Sequence, residues 1–137
     1  MNRKIALSAS IGIIVAVIVV STLWTPQGPI NLDNDEYLLG ENIFMRVRDL
    51  QADDRGNILI YTPLDVLLTT KPYDGSLESD FNFYFTPDTI KHKKICTPEE
   101  LVGEWKIVFE DESYPPTYFK IIDEILPGFE KNLDVVC

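Results

Sequence analysis

Twenty consecutive residues without a charge, Ile5 to Trp24, constrain this chain more than any other stretch in it. A helix rises about 1.5 Å per residue, so a run of this length reaches about 30 Å, the thickness of a bilayer's hydrocarbon core. A secretory signal has a shorter apolar core, of about 7–15 residues, and small residues at its cut. Val20, Ser21 and Thr22 make a poor cleavage site. The run is therefore read as a retained transmembrane helix, and a secreted soluble β domain left by cleavage is the competing outcome. Its many Ile and Val residues are no obstacle, because a helix in lipid satisfies its own backbone groups.

Charge orients the helix. Of the 12 Lys and Arg residues only Arg3 and Lys4 precede residue 25, leaving ten against all 22 acids, a net charge of −12 for the remainder. The positive-inside rule then places residues 1–4 in the cytoplasm and the C-terminal domain outside the cell membrane, with Trp24 anchoring the outer interface. So acidic a domain repels phosphate, which disfavours nucleic acid and anionic headgroups as its partners. Within the run Ser8, Gly12 and Ala16 recur every fourth residue and align three small side chains on one face. Another membrane helix can approach closely there, although chance spacing of common small residues gives the same pattern.

Residues 25–35 read as a linker, since Pro26, Gly28 and Pro29 break regular structure and Asn31, Asp33, Asn34 and Asp35 form turns. The folded domain is expected over residues 36–126 and a tail over 127–137. Asp33, Asn34, Asp35 and Glu36 offer oxygens to a hard cation, but an EF-hand counted from Asp33 has Leu38 where Gly is needed and Phe44 where Glu is needed. A solvated turn is the better reading.

From Gly40 onward the apolar period is two. Ile43, Met45 and Val47 alternate with Asn42, Phe44, Arg46 and Arg48, as in a half-buried strand. Ile58 to Tyr61 follows a turn at Asp53 to Asn57 and is expected to pair with that strand. Val66 to Thr70 gives another, closed by Lys71 and Pro72. Phe81, Phe83 and Phe85 alternate with Asn82 and Tyr84; buried, each Phe stabilises by about 1.5–3 kcal/mol, so they are assigned to the core rather than to a ligand platform. Pro98, Glu99 and Glu100 open a helical turn before Trp105, Ile107 and Phe109, the next core row, and Tyr118 to Ile122 is the last strand. About six or seven short strands, with no helix long enough for a βαβ crossover, specify an all-β antiparallel sandwich preceded by one transmembrane α-helix.

Chemistry is sparse. His92 is the sole histidine and sits in a loop with Lys91, Lys93 and Lys94, which disfavour any bound cation. No His-based zinc set or catalytic relay can be assembled elsewhere, so no catalytic residue, metal ligand, cofactor or small-molecule substrate is assigned. The three lysines are either a basic docking loop for an acidic partner or a solvated loop offsetting nearby acids. Cys96 and Cys137 lie in oxidising space on this topology and could bridge, stay free, or cross-link two chains.

Tyr37, Gly40 and Glu41 enter an alternating strand, Phe81 to Pro87 form a mid-domain strand, and Val102, Gly103, Glu104, Trp105 and Ile107 form a late one. In these features the segment Glu36 to Asp123 resembles immunoglobulin-like sandwich modules of archaeal and bacterial surface proteins. The resemblance implies adhesion, spacing or subunit contact, and a conventional intersheet disulfide beside a central Trp is missing. The expected function is a single-pass membrane protein with a non-catalytic extracytoplasmic domain for protein–protein interaction, an accessory subunit of a membrane complex. A pilin-like or archaellin-like filament subunit, with an N-terminal helix and a β head, is the structural alternative.

Overall fold

The computed structural model describes residues 28–130 and 133–137. The expected membrane helix, with Ser8, Gly12, Ala16 and Trp24, lies outside the described residues. Eight strands follow in order: β1 (Ile30–Leu32), β2 (Glu36–Leu39), β3 (Ile43–Val47), β4 (Arg55–Tyr61), β5 (Leu67–Asp74), β6 (Phe81–Phe85), β7 (Gly103–Phe109) and β8 (Thr117–Ile125). Two short 3-10 turns, Lys91–Lys93 and Pro98–Leu101, are the only other regular elements named among the described residues. No helix there is long and apolar enough to cross a membrane.

Two sheets share one core in a β-sandwich-like arrangement. One sheet has the order β1-β3-β6, the other β2-β8-β7-β4-β5. Alternation drives the packing: Ile43, Met45 and Val47 on β3 and Trp105, Ile107 and Phe109 on β7 are all buried, with outward neighbours exposed or half-buried. Phe119 of β8 joins the layers. Its ring lies 5.6 Å from Trp105, 5.7 Å from Tyr37 and 6.0 Å from Phe85, which belongs to the opposite sheet. The Trp105 indole N–H donates to the Leu101 carbonyl at 2.8 Å, so its polar edge is satisfied inside the core. Of the expected phenylalanine row, Phe85 is buried while Phe81 and Phe83 are half-buried and pack against the core rim.

The pairing departs from a purely antiparallel scheme at one place. β1 lies within the stretch read as linker and pairs antiparallel with β3; the chain then turns at Asp33 to Asp35 and enters the other sheet as β2, parallel to β8. β2 keeps the direction of β1, which is also the direction in which β8 runs, so the new pair is parallel. Tyr37 fixes the crossing. Its ring is buried edge-on to Phe119, while its hydroxyl donates to Asp33 Oδ1 at 2.5 Å and accepts from the Asn34 N–H at 3.0 Å. Gly40, at φ +93°, ends β2 with the Phe129 side chain packed where a Cβ would stand.

Strands β3 and β4, expected to pair, lie in different sheets. β3 pairs with β6, and β4 pairs with β5 and β7, because the connection between β3 and β4 passes from one layer to the other. β5 also runs on through Lys71 and Pro72 to Asp74. Proline is tolerated here because β5 is an edge strand, where a missing N–H costs no ladder bond on the solvent side.

Tyr37 generates a direct expectation. Burial, reinforced by the bond to Asp33, holds its hydroxyl above the ordinary tyrosine range, so its contribution is complete below about pH 10 and fades only as pH rises through the folded-state value. Tyr37→Phe removes a charge-assisted bond and leaves the Asn34 amide without this acceptor, lowering stability by about 1–3 kcal/mol. Urea unfolding at neutral pH measures it; an unchanged midpoint contradicts the role given to this hydroxyl.

Candidate interaction surface

The two ends of the sandwich differ in chemistry. At one end the loops after β3, β5 and β7 meet: the Gly75 N–H donates to the Asp54 carbonyl at 2.7 Å, Leu50 N–H to the Ser79 carbonyl at 3.1 Å, and the Tyr114 hydroxyl to Asp54 Oδ2 at 2.5 Å. Asp111 accepts from the Ser113 hydroxyl at 2.8 Å and amide at 3.2 Å, and these bonds hold its carboxyl below the usual range. Asn57 Nδ2 donates to Glu110 Oε2 at 2.8 Å. The acids here are spent on ordering their own loops, and no cluster able to hold a metal exists among the described residues. Gly28 packs beside Tyr114 and Pro115, so the described chain enters the domain at this acidic end.

The opposite end carries the lysines and cysteines. Cys96 and Cys137 are joined, 41 residues apart in sequence. The Val136 N–H donates to the Cys96 carbonyl at 2.9 Å and the Thr89 hydroxyl to the Asp134 carbonyl at 2.9 Å, so the tail folds back onto the loop between β6 and β7. Of the expected docking lysines, Lys91 and Lys94 are exposed, as is His92, while Lys93 donates to the Leu68 carbonyl of β5. The lysine loop is thus partly committed to the fold.

The outer faces of the two sheets offer broader surfaces. On the five-stranded sheet Leu59, Tyr61, Val108 and Tyr118 line an open groove of about 750 Å³, floored by Lys106, whose ammonium sits 5.4 Å from the Tyr61 ring and 3.9 Å from Asp65. The outer face of β1-β3-β6 is more exposed. Phe44 and Tyr84 are direct cross-strand partners, 53% and 62% exposed, with rings 5.9 Å apart. Arg46 and Asn82 form the next rung, Arg46 Nε donating to Asn82 Oδ1 at 3.3 Å. Two large aromatic rings held side by side in water are an apolar patch that the sandwich itself does not need.

In the sequence Phe44 and Tyr84 fall in the polar phase of their strands. The signal was present: both are aromatic at positions where the alternation calls for a polar side chain. No protein-family model matches the chain, and no curated protein matches it either.

Two measurements test these ends. The bond to Asp54 pushes the Tyr114 hydroxyl up to about 12, so the stability it confers is complete below about pH 10 and lost between there and about pH 12. Tyrosinate absorbance should lose one of its late-titrating tyrosines, the one near pH 12, in Tyr114→Phe, while Tyr37 still titrates late; a late-titrating amplitude equal to that of the wild type contradicts the bond. Closing a loop of this size stabilises by about 4 kcal/mol in the chain-entropy account, so Cys137→Ser should lower the thermal midpoint and free the tail for proteolysis. A tail that stays protected contradicts the tether.

Proposed function

We propose that the chain is a single-pass membrane protein whose exterior immunoglobulin-like domain binds protein, as an accessory subunit of a membrane complex. Three lines support the reading. The apolar run ends at Trp24 and the domain is entered at Gly28, so a fully extended connection spans at most about 14 Å and the acidic loop end sits close to the bilayer. With β1-β3-β6 in one sheet and β8-β7-β4-β5 in the other, the strand order agrees with the immunoglobulin-like arrangement of A-B-E against G-F-C, with β5 beside β4 in the place of the C′ strand. The bond from Trp105 back to Leu101, at the start of β7, occupies the place of the tyrosine corner in such domains.

The observation that carries the binding role is the Phe44–Tyr84 pair. Strands rise away from the membrane-proximal end, so this face looks sideways, toward whatever stands next to the chain in the membrane. Aromatic residues flanked by an Arg–Asn rung are the composition of an interface centre. Repulsion between acidic loops and anionic headgroups keeps the domain upright rather than lying on the surface.

The test is purification of the full chain from its native membrane in mild detergent, with and without the double change Phe44→Ser and Tyr84→Ser. A defined partner should co-elute with the wild type and fall by about tenfold or more with the variant, whose thermal midpoint stays close to the original. A lone monomer, or undiminished co-elution, contradicts the assignment. Recovery of the chain in sheared filaments with its mature N-terminus near Ile5 would favour the filament subunit instead.

A further inference from the structure

The sandwich is sealed along one side and open along the other. Residues 30–39 start in one sheet and finish in the second, closing their side with covalent chain. On the far side β6 and β5 are the two edges, and among the described residues no strand joins them. β6 pairs only with β3, and among the described residues no backbone bond outside that ladder involves residues 81–85. Among the described residues its outer row of N–H and C=O groups therefore has no backbone partner. The half-buried Phe81 and Phe83 rings face the opening, and across it lies the Lys71 ammonium, 5.3 Å and 5.6 Å from their centres.

The edges are not equally defended. β5 carries Pro72, turns Lys71 inward, and gives its Leu68 carbonyl to Lys93. β1 and β2 are three and four residues long. β6 reads Phe-Asn-Phe-Tyr-Phe, with no charge, proline or glycine, the composition that pairs most readily with another strand. We propose that the free edge of β6 is a strand-addition site for an extended segment of a partner protein. This inference rests on the reading of the domain as a protein-binding module and specifies how it binds.

The chemistry of the edge describes its occupant. Backbone ladder bonds require an extended chain. The Phe81 and Phe83 rings require apolar side chains at alternate positions, pointing into the opening. Lys71 takes part in neither of the ion pairs found among the described residues, Arg55–Asp74 and Lys106–Asp65, so a carboxylate on the same face of the incoming strand completes it. A second copy of this chain fits poorly: a two-fold contact that continues the sheet pairs β6 antiparallel and turns one copy end over end, away from a membrane both copies share.

The probe is a synthetic ten-residue peptide with valine at alternate positions and one central glutamate on the valine face, added to the full chain in nanodiscs. Controls replace the glutamate by lysine or insert a proline at the centre. The glutamate peptide should bind and protect β6 amides from exchange, and the proline peptide should do neither. Lys71→Glu should weaken the glutamate peptide by about tenfold and favour the lysine peptide by a similar factor, a reversal that general destabilisation cannot produce. Absence of protection in β6, or equal affinities in both backgrounds, overturns the inference. So does concentration-dependent protection of β6 without peptide, which assigns the edge to a second copy. If a native partner co-elutes equally with wild type and Lys71→Glu and leaves β6 exchanging freely, the binding module stands and the edge mechanism falls.

Discussion

One buried phenol holds the plan of this domain together. Tyr37 places its ring against Phe119 in the shared core and its hydroxyl on the turn at Asp33 and Asn34, where the chain leaves one sheet for the other. Without that crossing the three-stranded and five-stranded sheets would be joined only by loops at their ends. With it, one side of the sandwich is a continuous stretch of chain, and β2 pairs in parallel with β8, which runs in the same direction. The ring is buried while the hydroxyl and its partners lie at the part-buried margin, so the core anchors the phenol and its bonds to Asp33 and Asn34 order the turn.

The closure on one side makes the other side conspicuous. Between β5 and β6 the Lys71 ammonium lies over the Phe81 and Phe83 rings at the core rim, and β6 has β3 as its one strand partner among the described residues. The two ends are also distinguished: the acidic loops that order themselves around Asp54 and Asp111 sit where the chain enters, and the disulfide ties the tail at the opposite end. A domain with its ends committed has its sides left for contact, and the β1-β3-β6 side carries both the exposed aromatic rung and the free edge.

Much of this was legible in the residues, within limits set by period and range. Alternation found the core rows of β3 and β7 because each strand has one face buried, and the Thr97-to-Glu100 capping box matches the helical turn expected at Pro98. Periodicity says nothing about which strands pair, so β3 and β4 were expected side by side when they belong to different layers. β1 was read as linker because a three-residue strand between Pro29 and a run of turn formers has no period to detect. β5 was expected to stop at Lys71 because proline ends most strands, a rule that edge strands escape. The row of three phenylalanines was assigned wholly to the core, yet only Phe85 is fully buried, since no strand lies beyond β6 to cover the other two. Cys96 and Cys137 admitted several pairings by sequence; only the fold-back of the tail brings them together.

The sandwich is sealed along β1–β2 and open along β6, and residue-resolved amide exchange on the full chain in nanodiscs reads both sides at once. Amides of β3, β4 and β7, flanked by strands on both sides, should exchange slowly throughout. In β6 slow and fast amides should alternate, the fast ones being those whose N–H groups face away from β3. Uniformly slow exchange along Phe81–Phe85, matching β4, would mean that the edge is already covered and would contradict the account.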